Sequence, residues 1–219
     1  MTHVGISQVG ITPAPGLKMA GMLNPPQAQG VRWPLHGRVF LLDDGSHRAA
    51  IVTLDLLFLS ASTVAELRAA LVAGDPRLVP ADITICCSHT HRAPYTTTAM
   101  DEDPDFAYLD LVRDRLVEAM ADARAALVPA RFVVGDTAIA GFPVELFSAF
   151  GARLKEASPF ADTLVAELVN GWHGYVPNRE AFEHGGYEPR VGYMSRLAPE
   201  AGDAMMDTAI TLLQGFAVK

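Results

Sequence analysis

An almost continuous apolar run, residues 49–58, constrains the fold of this chain more than any other feature. The run is short, contains β-branched residues, and follows a strand-like segment, residues 38–43, across Asp44-Gly45, which is a strong hairpin signal. These features predict a strand at 49–58 that is buried on both faces. Such a strand needs covering layers, so the chain should form a sheet with helices packed on it.

Helical segments alternate with further strand-like segments. Val64, Leu67 and Leu71 recur at helical spacing after Ser62, and residues 83–87 form another β-branched run. Further strands are predicted at 131–134 and 163–169. Further helices are predicted at 106–127, from just after Pro143 through Phe147 to Ser158, and at 201–216, the last with Met205, Ala209 and Leu212 on one stripe. This alternation predicts an α/β layered domain with a mostly parallel or mixed sheet flanked by helices. No linker divides the chain, so one domain over residues 1–219 is expected.

Composition excludes several classes of partner. The 219 residues include 17 Lys+Arg and 25 Asp+Glu, a formal net charge of −8 without a basic cluster, which argues against binding to nucleic acid. No apolar stretch is long enough to cross a membrane. The start lacks a basic region followed by an apolar one, which predicts a cytoplasmic protein, with a processed secreted form as the alternative. The adjacent Cys86 and Cys87 are read as small buried apolar residues, because a bridge between them would be strained.

The first candidate site is Ser88-His89-Thr90-His91, which directly follows the apolar run at 83–87. In an extended chain residues i and i+2 face the same way, so both imidazoles would project from the carboxyl end of a buried strand. Ligands of open α/β sheets bind at that edge, and a His-x-His pair is one half of a zinc site. The alternative is a hydrogen-bonded pair at a strand end.

The second candidate is the loop Gly171 to Pro177, followed by Tyr187. Its glycines let backbone approach closely, and its tyrosines could donate to an oxyanion or bind a metal. The alternative is a loop whose aromatic side chains cover the core. Glu145, taken alone, fits the first turn of a helix, where its charge complements the helix dipole.

Asp55, His36 and Ser88 could each have either a structural role or a role in a site. Asp55 interrupts the apolar run and needs a partner, since an unpaired buried carboxylate is costly; otherwise it marks where the strand reaches a site. His36 is expected at the surface or in a structural role. Ser88 could be a nucleophile only with a base close by, and no Gly-x-Ser-x-Gly elbow surrounds it.

Several blocks of the sequence together resemble the neutral/alkaline, non-lysosomal ceramidase family. In chain order they are Gly21 with Asn24-Pro25, Leu35 to Phe40, Ser88-His89-Thr90-His91 with Pro94, and the stretch from Ser158-Pro159-Phe160 through Gly174-Tyr175-Val176-Pro177 to Tyr187-Glu188. The last stretch is the most specific. Residues 1–136 resemble the amino-terminal part of the family, and residues 142–216 resemble the end of its catalytic domain.

The resemblance implies a function and a set of site residues. Members of the family hydrolyse the amide bond of ceramide at a single zinc ion. By resemblance, His89, Glu145 and Tyr175 would bind zinc, His91 would be the neighbouring active-site histidine, and Tyr187 the second active-site tyrosine. A zinc-dependent amide hydrolase of sphingolipid metabolism, bacterial like the shorter members of the family, is therefore expected. Its substrate would be a ceramide-like lipid or a smaller amphipathic amide.

The chain also departs from the family. The family's long central segment, which carries a second zinc-ligating histidine and an oxyanion-side arginine, is missing between Val134 and Pro143. His173 is a candidate for the fourth ligand, because on an extended loop it would share a face with Tyr175. The alternative function is a non-catalytic relative that binds an amphipathic ligand or a partner protein. A strand edge near residues 135–141 could be covered by self-association, so a homodimer is possible.

Overall fold

The structure is a computed structural model that describes residues 2–21, 24–73, 75–98, 103–130, 136–192 and 194–217. The chain forms two compact units, Met1–Phe132 (unit 1) and Val133–Lys219 (unit 2). Whether residues 1–219 act as one domain, as the sequence predicts, stays a prediction.

Unit 1 is a five-stranded sheet with two helices. Its elements are β1 (His3–Gly10), β2 (His36–Asp43), β3 (Arg48–Leu54), α1 (Ala61–Val72), β4 (Leu78–Cys87), α2 (Phe106–Ala125) and β5 (Val128–Pro129). The strand order is β4-β3-β2-β1-β5, with β3 and β4 parallel and the other neighbours antiparallel. The α/β class with a mixed sheet flanked by helices is therefore confirmed.

The predicted hairpin at Asp44-Gly45 is confirmed: it connects β2 and β3, which pair antiparallel with Asp43 opposite Arg48. Gly45 has a φ of +100°, which favours glycine at this turn. The backbone amides of Ser46 and His47 each donate to Asp44 Oδ1 at 2.7 Å. These hydrogen bonds, led by the one from His47, lower the pKa of Asp44 to about 2.

The expectation of a strand buried on both faces is wrong in detail. β3 ends at Leu54, and only every second residue along it, beginning with Ala50, is buried. The residues between, such as Ile51, are half-buried. The reason is that α2 packs on β1 and β2 and contacts α1, so both helices cover one face of the sheet. The apolar run continues past the strand as a buried loop, residues 56–59.

The first predicted helix is confirmed. Ser60 caps α1, its Oγ accepting from the Thr63 amide at 3.1 Å, and the helix buries Val64, Leu67 and Leu71. In the same way, Asp105 caps α2 by accepting from the Tyr108 amide at 2.8 Å. The helix predicted at 106–127 ends two residues earlier, at Ala125.

Both cysteines are free thiols on β4, Cys87 buried and Cys86 half-buried. Burial raises the pKa of both thiols, which fits their reading as apolar residues. The strand predicted at 131–134 lies outside the described residues.

A buried ion-pair cluster joins β2, β3 and the segment before β4. Arg48 Nε donates to Asp43 Oδ2 at 2.9 Å, and the same guanidinium bonds to Asp75. Arg77 and Arg124 lie 3.2 Å from Asp43 and 3.7 Å from Asp75 respectively. Burial by itself raises the pKa of each carboxyl, but hydrogen bonds from Arg48 and from backbone amides outweigh it. Both pKa values therefore lie below the ordinary value.

Unit 2 combines two small parallel ladders with helices. Its elements are β6 (Thr137–Gly141), β7 (Glu145–Leu146), α3 (Ser148–Ala157), β8 (Asp162–Ala166), β9 (Tyr175–Val176), α4 (Arg179–His184) and α5 (Ala201–Ala217). β6 pairs with β8, and β7 pairs with β9. The core of this unit gathers apolar residues from these elements: Ala138, Phe142, Val144, Leu146, Phe150, Leu154, Val176, Met206 and Leu213.

Two predictions in unit 2 are wrong in detail. The helix after Pro143 begins only at Ser148, so Glu145 lies on a strand rather than in a first helical turn. On α5 the fully buried residues include Met206 and Leu213, each one position after a residue of the predicted stripe, Met205 and Leu212. Leu212 itself is 57 % exposed. Phe150 explains the shift, because its ring packs directly against the α5 backbone at Gly202.

None of the helices within the described residues is long and apolar enough to span a membrane.

Candidate functional site

The segment Ser88 to Arg92 is not an extended continuation of β4. The strand ends at Cys87, and the chain then turns, with φ of +54° at His89 and +68° at Arg92. Side chains other than glycine rarely adopt such values, and they concentrate at functional sites. The Ser88 and Thr90 amides donate to Leu54 and Leu56 carbonyls at 3.0 and 2.9 Å, which fixes the turn against the end of β3. The predicted geometry is therefore wrong, although the position at the strand end is right.

The turn nevertheless brings the two imidazoles together. The ring centres of His89 and His91 are 5.0 Å apart with an interplanar angle of 79°. Two imidazoles bound at about 2.0–2.1 Å to one tetrahedral zinc ion would have ring centres about 5 Å apart. The spacing of this pair is therefore compatible with two imidazoles at one zinc ion, either both as ligands or one as a ligand with the other beside it as a proton acceptor.

Each imidazole is oriented by a backbone carbonyl. His89 Nδ1 lies 3.2 Å from the Leu57 carbonyl oxygen, and His91 Nδ1 lies 2.7 Å from that of Gly21. A carbonyl oxygen only accepts, so these hydrogen bonds place the proton on Nδ1 and, in the neutral ring, the lone pair on Nε2. Metal-ligating and proton-transferring histidines are held in this way. Neither carbonyl could be found from the sequence.

Asp55 has the partners that its position demands. It accepts from the His36 backbone amide at 2.9 Å and from the Arg38 guanidinium at 3.2 Å. His36 Nδ1 lies 3.8 Å from the same carboxylate. The structural role of His36 stays a prediction. Ser88 Oγ contacts Thr90 Oγ1 at 2.7 Å and lies 3.5 Å from Asp55 Oδ1, and its hydrogen-bond partners within the described residues do not include a histidine.

A cleft of about 780 Å³ opens beside His91 in unit 1. Its lining comes from three segments: residues 12–19, residues 28–35, and residues 90–94 with Asp55. Most of this lining is apolar, and the Trp33 side chain is 79 % exposed on it. A volume of this size is typical of a site for a small organic ligand.

Glu145 and Tyr175 are brought together in unit 2 by the register of the β7–β9 ladder, which pairs them directly. Glu145 is 9 % exposed and accepts from Trp172 Nε1 at 2.7 Å. The Tyr175 hydroxyl also bonds to Glu145. Burial, followed by the negative charge of Glu145, raises the pKa of Tyr175. Sequence reasoning missed Trp172, although it lies inside the aromatic loop that was singled out.

Tyr187 lies next to Tyr175, with ring centres 5.8 Å apart and edge to face. The Tyr187 side chain is 64 % exposed. His173 is exposed, and Gly174 beside it has a φ of +92°, so the loop is not extended and the face-sharing argument for His173 is wrong. The assignment of His173 as a zinc ligand stays a prediction.

The structure thus groups the predicted site residues by unit, His89 with His91 in unit 1 and Glu145 with Tyr175 and Tyr187 in unit 2. No group of three or more His, Cys, Asp or Glu side chains suited to a metal ion is found in the part of the chain that the structure describes. The imidazoles of unit 1 and the Glu145 carboxylate of unit 2 are both groups that bind zinc in proteins.

Gly21 controls the position of His91, and its substitution gives a first prediction. A Cβ on Gly21 would lie 2.5 Å from His91 Nδ1, and the residue has a φ of +81°. We expect Gly21→Ala to displace the imidazole and to shift the His91 ring-nitrogen resonances in NMR spectra. Gly16→Ala is the matched control, because Gly16 has a φ of +115° but open space at Cβ. Unchanged His91 resonances in Gly21→Ala would contradict the described contact.

Comparisons with known proteins point to one fold. The crystal structure of neutral ceramidase from Pseudomonas aeruginosa matches with a TM-score of 0.53 and 15% identity, covering 98% of this chain and 45% of that one. A structure described as ceramidase complexed with C2 matches with a TM-score of 0.53 and 19% identity, covering 58% of this chain and 22% of that one. No family model and no curated protein sequence matches.

These neighbours show that the chain has a ceramidase-like fold. At such low identity the likeness concerns the fold alone. The chain spans less than half the length of either neighbour.

Proposed function

We propose that this chain is a ceramidase-like hydrolase that uses zinc to cleave an N-acyl linkage in a ceramide-like lipid or a smaller amphipathic amide. The observation that carries the proposal is the His89–His91 pair, with ring centres 5.0 Å apart and each Nδ1 anchored on a carbonyl oxygen. That anchoring orients both imidazoles at a turn with positive φ, and His91 lines a cleft of ligand size.

His89, Glu145 and Tyr175 are assigned to one zinc ion by their resemblance to the zinc ligands of the ceramidase family. Each has suitable chemistry: an oriented imidazole, a buried carboxylate and a phenol beside that carboxylate. Zinc, when bound, would lower the pKa of a bound water to about 7 and polarise a carbonyl group.

The other residues would move protons and stabilise charge. His91, its Nδ1 proton held by Gly21, can accept a proton from the attacking water at Nε2 and deliver it to the leaving nitrogen. The Tyr187 hydroxyl can donate a hydrogen bond to the oxyanion that develops on the acyl oxygen. Overall the amide C–N bond breaks, the water oxygen bonds to the acyl carbon, and the nitrogen leaves as an amine.

One observation favours a second function, that of a non-catalytic ligand-binding protein. Unit 1 by itself has a cleft of about 780 Å³ with a mostly apolar lining, which can hold an amphipathic ligand without a metal ion. In this case the histidine pair would have a structural role, and ligands would bind without being cleaved.

A panel of N-acyl substrates distinguishes the two functions. The full chain is loaded with zinc or treated with a chelator, and release of free amine is measured from a short-chain ceramide and from N-octanoyl amides. We expect hydrolysis only in the zinc-loaded sample, restored when zinc is added back to the chelated one. Binding of substrates without hydrolysis in either sample would support the non-catalytic function instead.

The sequence-based expectations of a cytoplasmic protein and of a homodimer stay predictions. The homodimer was expected to cover a strand edge near residues 135–141. The described part of this segment is β6, which pairs with β8 along one side.

A further inference from the structure

We propose that the cleft beside His91 selects acyl amides that carry a carboxylate, namely N-acyl amino acids, over uncharged amides. The identity of the cleaved bond rests on the proposed function, but the selectivity is a property of binding and can be tested without turnover.

The charge of the cleft is opposite to that of the chain. The formal net charge of the chain is −8, yet Arg32 and Arg92 both line the cleft as exposed side chains. Asp55 is the one acidic residue of the described lining, and the Arg38 guanidinium, 3.2 Å away, already balances it. Neither Arg32 nor Arg92 forms an ion pair with a described residue. The lining therefore presents positive charge to a ligand.

An apolar wall accompanies these charges. Val31 and Trp33, on either side of Arg32, are 53 % and 79 % exposed, and Leu17 and Met19 line the same cleft. Large apolar side chains that face an open cleft gain free energy when an aliphatic chain covers them. A ligand that matches the whole lining thus has an acyl chain and an anionic group, and guanidinium groups bind carboxylates well.

The position of Arg92 links this charge to the proposed chemistry. Arg92 directly follows His91, and its backbone amide donates to the Ala20 carbonyl at 3.2 Å, which fixes the turn. In an N-acyl amino acid the carboxylate is one carbon away from the amide nitrogen. A carboxylate held by Arg92 would therefore bring that amide bond close to the imidazole of His91.

Calorimetric titration of the full chain, with zinc removed by a chelator, tests the selectivity apart from hydrolysis. The probes are N-octanoylglycine and its uncharged analogue N-octanoylethanolamine. We expect the glycine conjugate to bind about tenfold more tightly, because hydrogen bonds to a charged group contribute roughly this much. The preference should shrink between about 50 mM and about 500 mM salt, since the charges are exposed.

Variants identify the residues responsible. Arg32→Gln with Arg92→Gln should remove the preference and leave binding of the ethanolamine conjugate within about twofold. Arg115→Gln, an exposed arginine on α2 outside the cleft, is the control and should keep the preference. Equal binding of both probes to the unaltered chain, or a preference that survives the double substitution, would overturn the inference. A preference without zinc-dependent hydrolysis would support the inference and contradict only the proposed function.

Discussion

Replacing Arg48 with methionine is expected to lower the free energy of unfolding by about 3–5 kcal/mol at neutral pH. Arg48 is the shared partner of Asp43 and Asp75, whose side chains are 7 % and 2 % exposed. Methionine fills a similar volume but leaves both carboxylates without their main partner in a buried place. Urea unfolding of the full chain, followed by circular dichroism, measures the change.

The pH dependence of this effect has a defined sign. The folded-state pKa values of Asp43 and Asp75 lie below the ordinary value, so their contribution to stability is present above the unfolded value of about 3.9. It is lost as the pH falls through the lowered folded values. In Arg48→Met, burial raises those pKa values instead. The deficit of the variant should therefore be largest at neutral pH and shrink toward about pH 3.

Arg115→Met provides the comparison for this stability effect. Arg115 pairs with Glu118 at 2.9 Å, but both side chains are about half exposed, at 46% and 58%. A pair of this type contributes about 0–1 kcal/mol. Equal destabilisation by Arg48→Met and Arg115→Met would show that the buried cluster does not stabilise unit 1 as described.

His91→Gln is expected to reduce kcat/KM for amide hydrolysis by about 10²–10⁴-fold, the usual contribution of a general acid–base group. The glutamine side-chain amide can still donate to the Gly21 carbonyl that His91 contacts at 2.7 Å, so the turn should persist. It cannot accept and return a proton as imidazole does. Release of free amine from N-octanoyl amides by the zinc-loaded enzyme measures the loss.

His47→Gln is the control for this substitution, because His47 is an exposed residue of the β2–β3 hairpin. It should leave kcat/KM unchanged. Zinc content close to that of the unaltered chain in His91→Gln would confirm that a proton-transfer group, and not a ligand, has been removed. A kcat/KM within about threefold of the unaltered value would contradict the role of His91.

Elements set by local signals could be predicted from the sequence. The apolar spacing of Val64, Leu67 and Leu71 identified α1, and the Asp44-Gly45 turn identified the β2–β3 hairpin. The type of element in which a residue near an element's end lies was harder to predict. Glu145 was read as a helix start, because a lone acid before an apolar segment looks the same on a short strand.

Long-range contacts could not be predicted from the sequence. The carbonyls of Leu57 and Gly21 that hold the two imidazoles are 32 and 70 residues away from their histidines. The pairing of Glu145 with Tyr175 depends on the register of a two-residue ladder, and the Trp172 hydrogen bond on the loop that follows β8. Such contacts depend on tertiary packing, which has no local pattern in the sequence.

Zinc content of the purified full chain tests the central claim most directly. It is measured by elemental analysis for the unaltered chain, His89→Ala, Glu145→Ala and the control His47→Ala. The proposed function predicts about one zinc per chain in the unaltered protein and in His47→Ala, and loss of that zinc in His89→Ala and in Glu145→Ala. An unaltered chain that does not retain added zinc, or His89→Ala that retains it fully, would contradict the account.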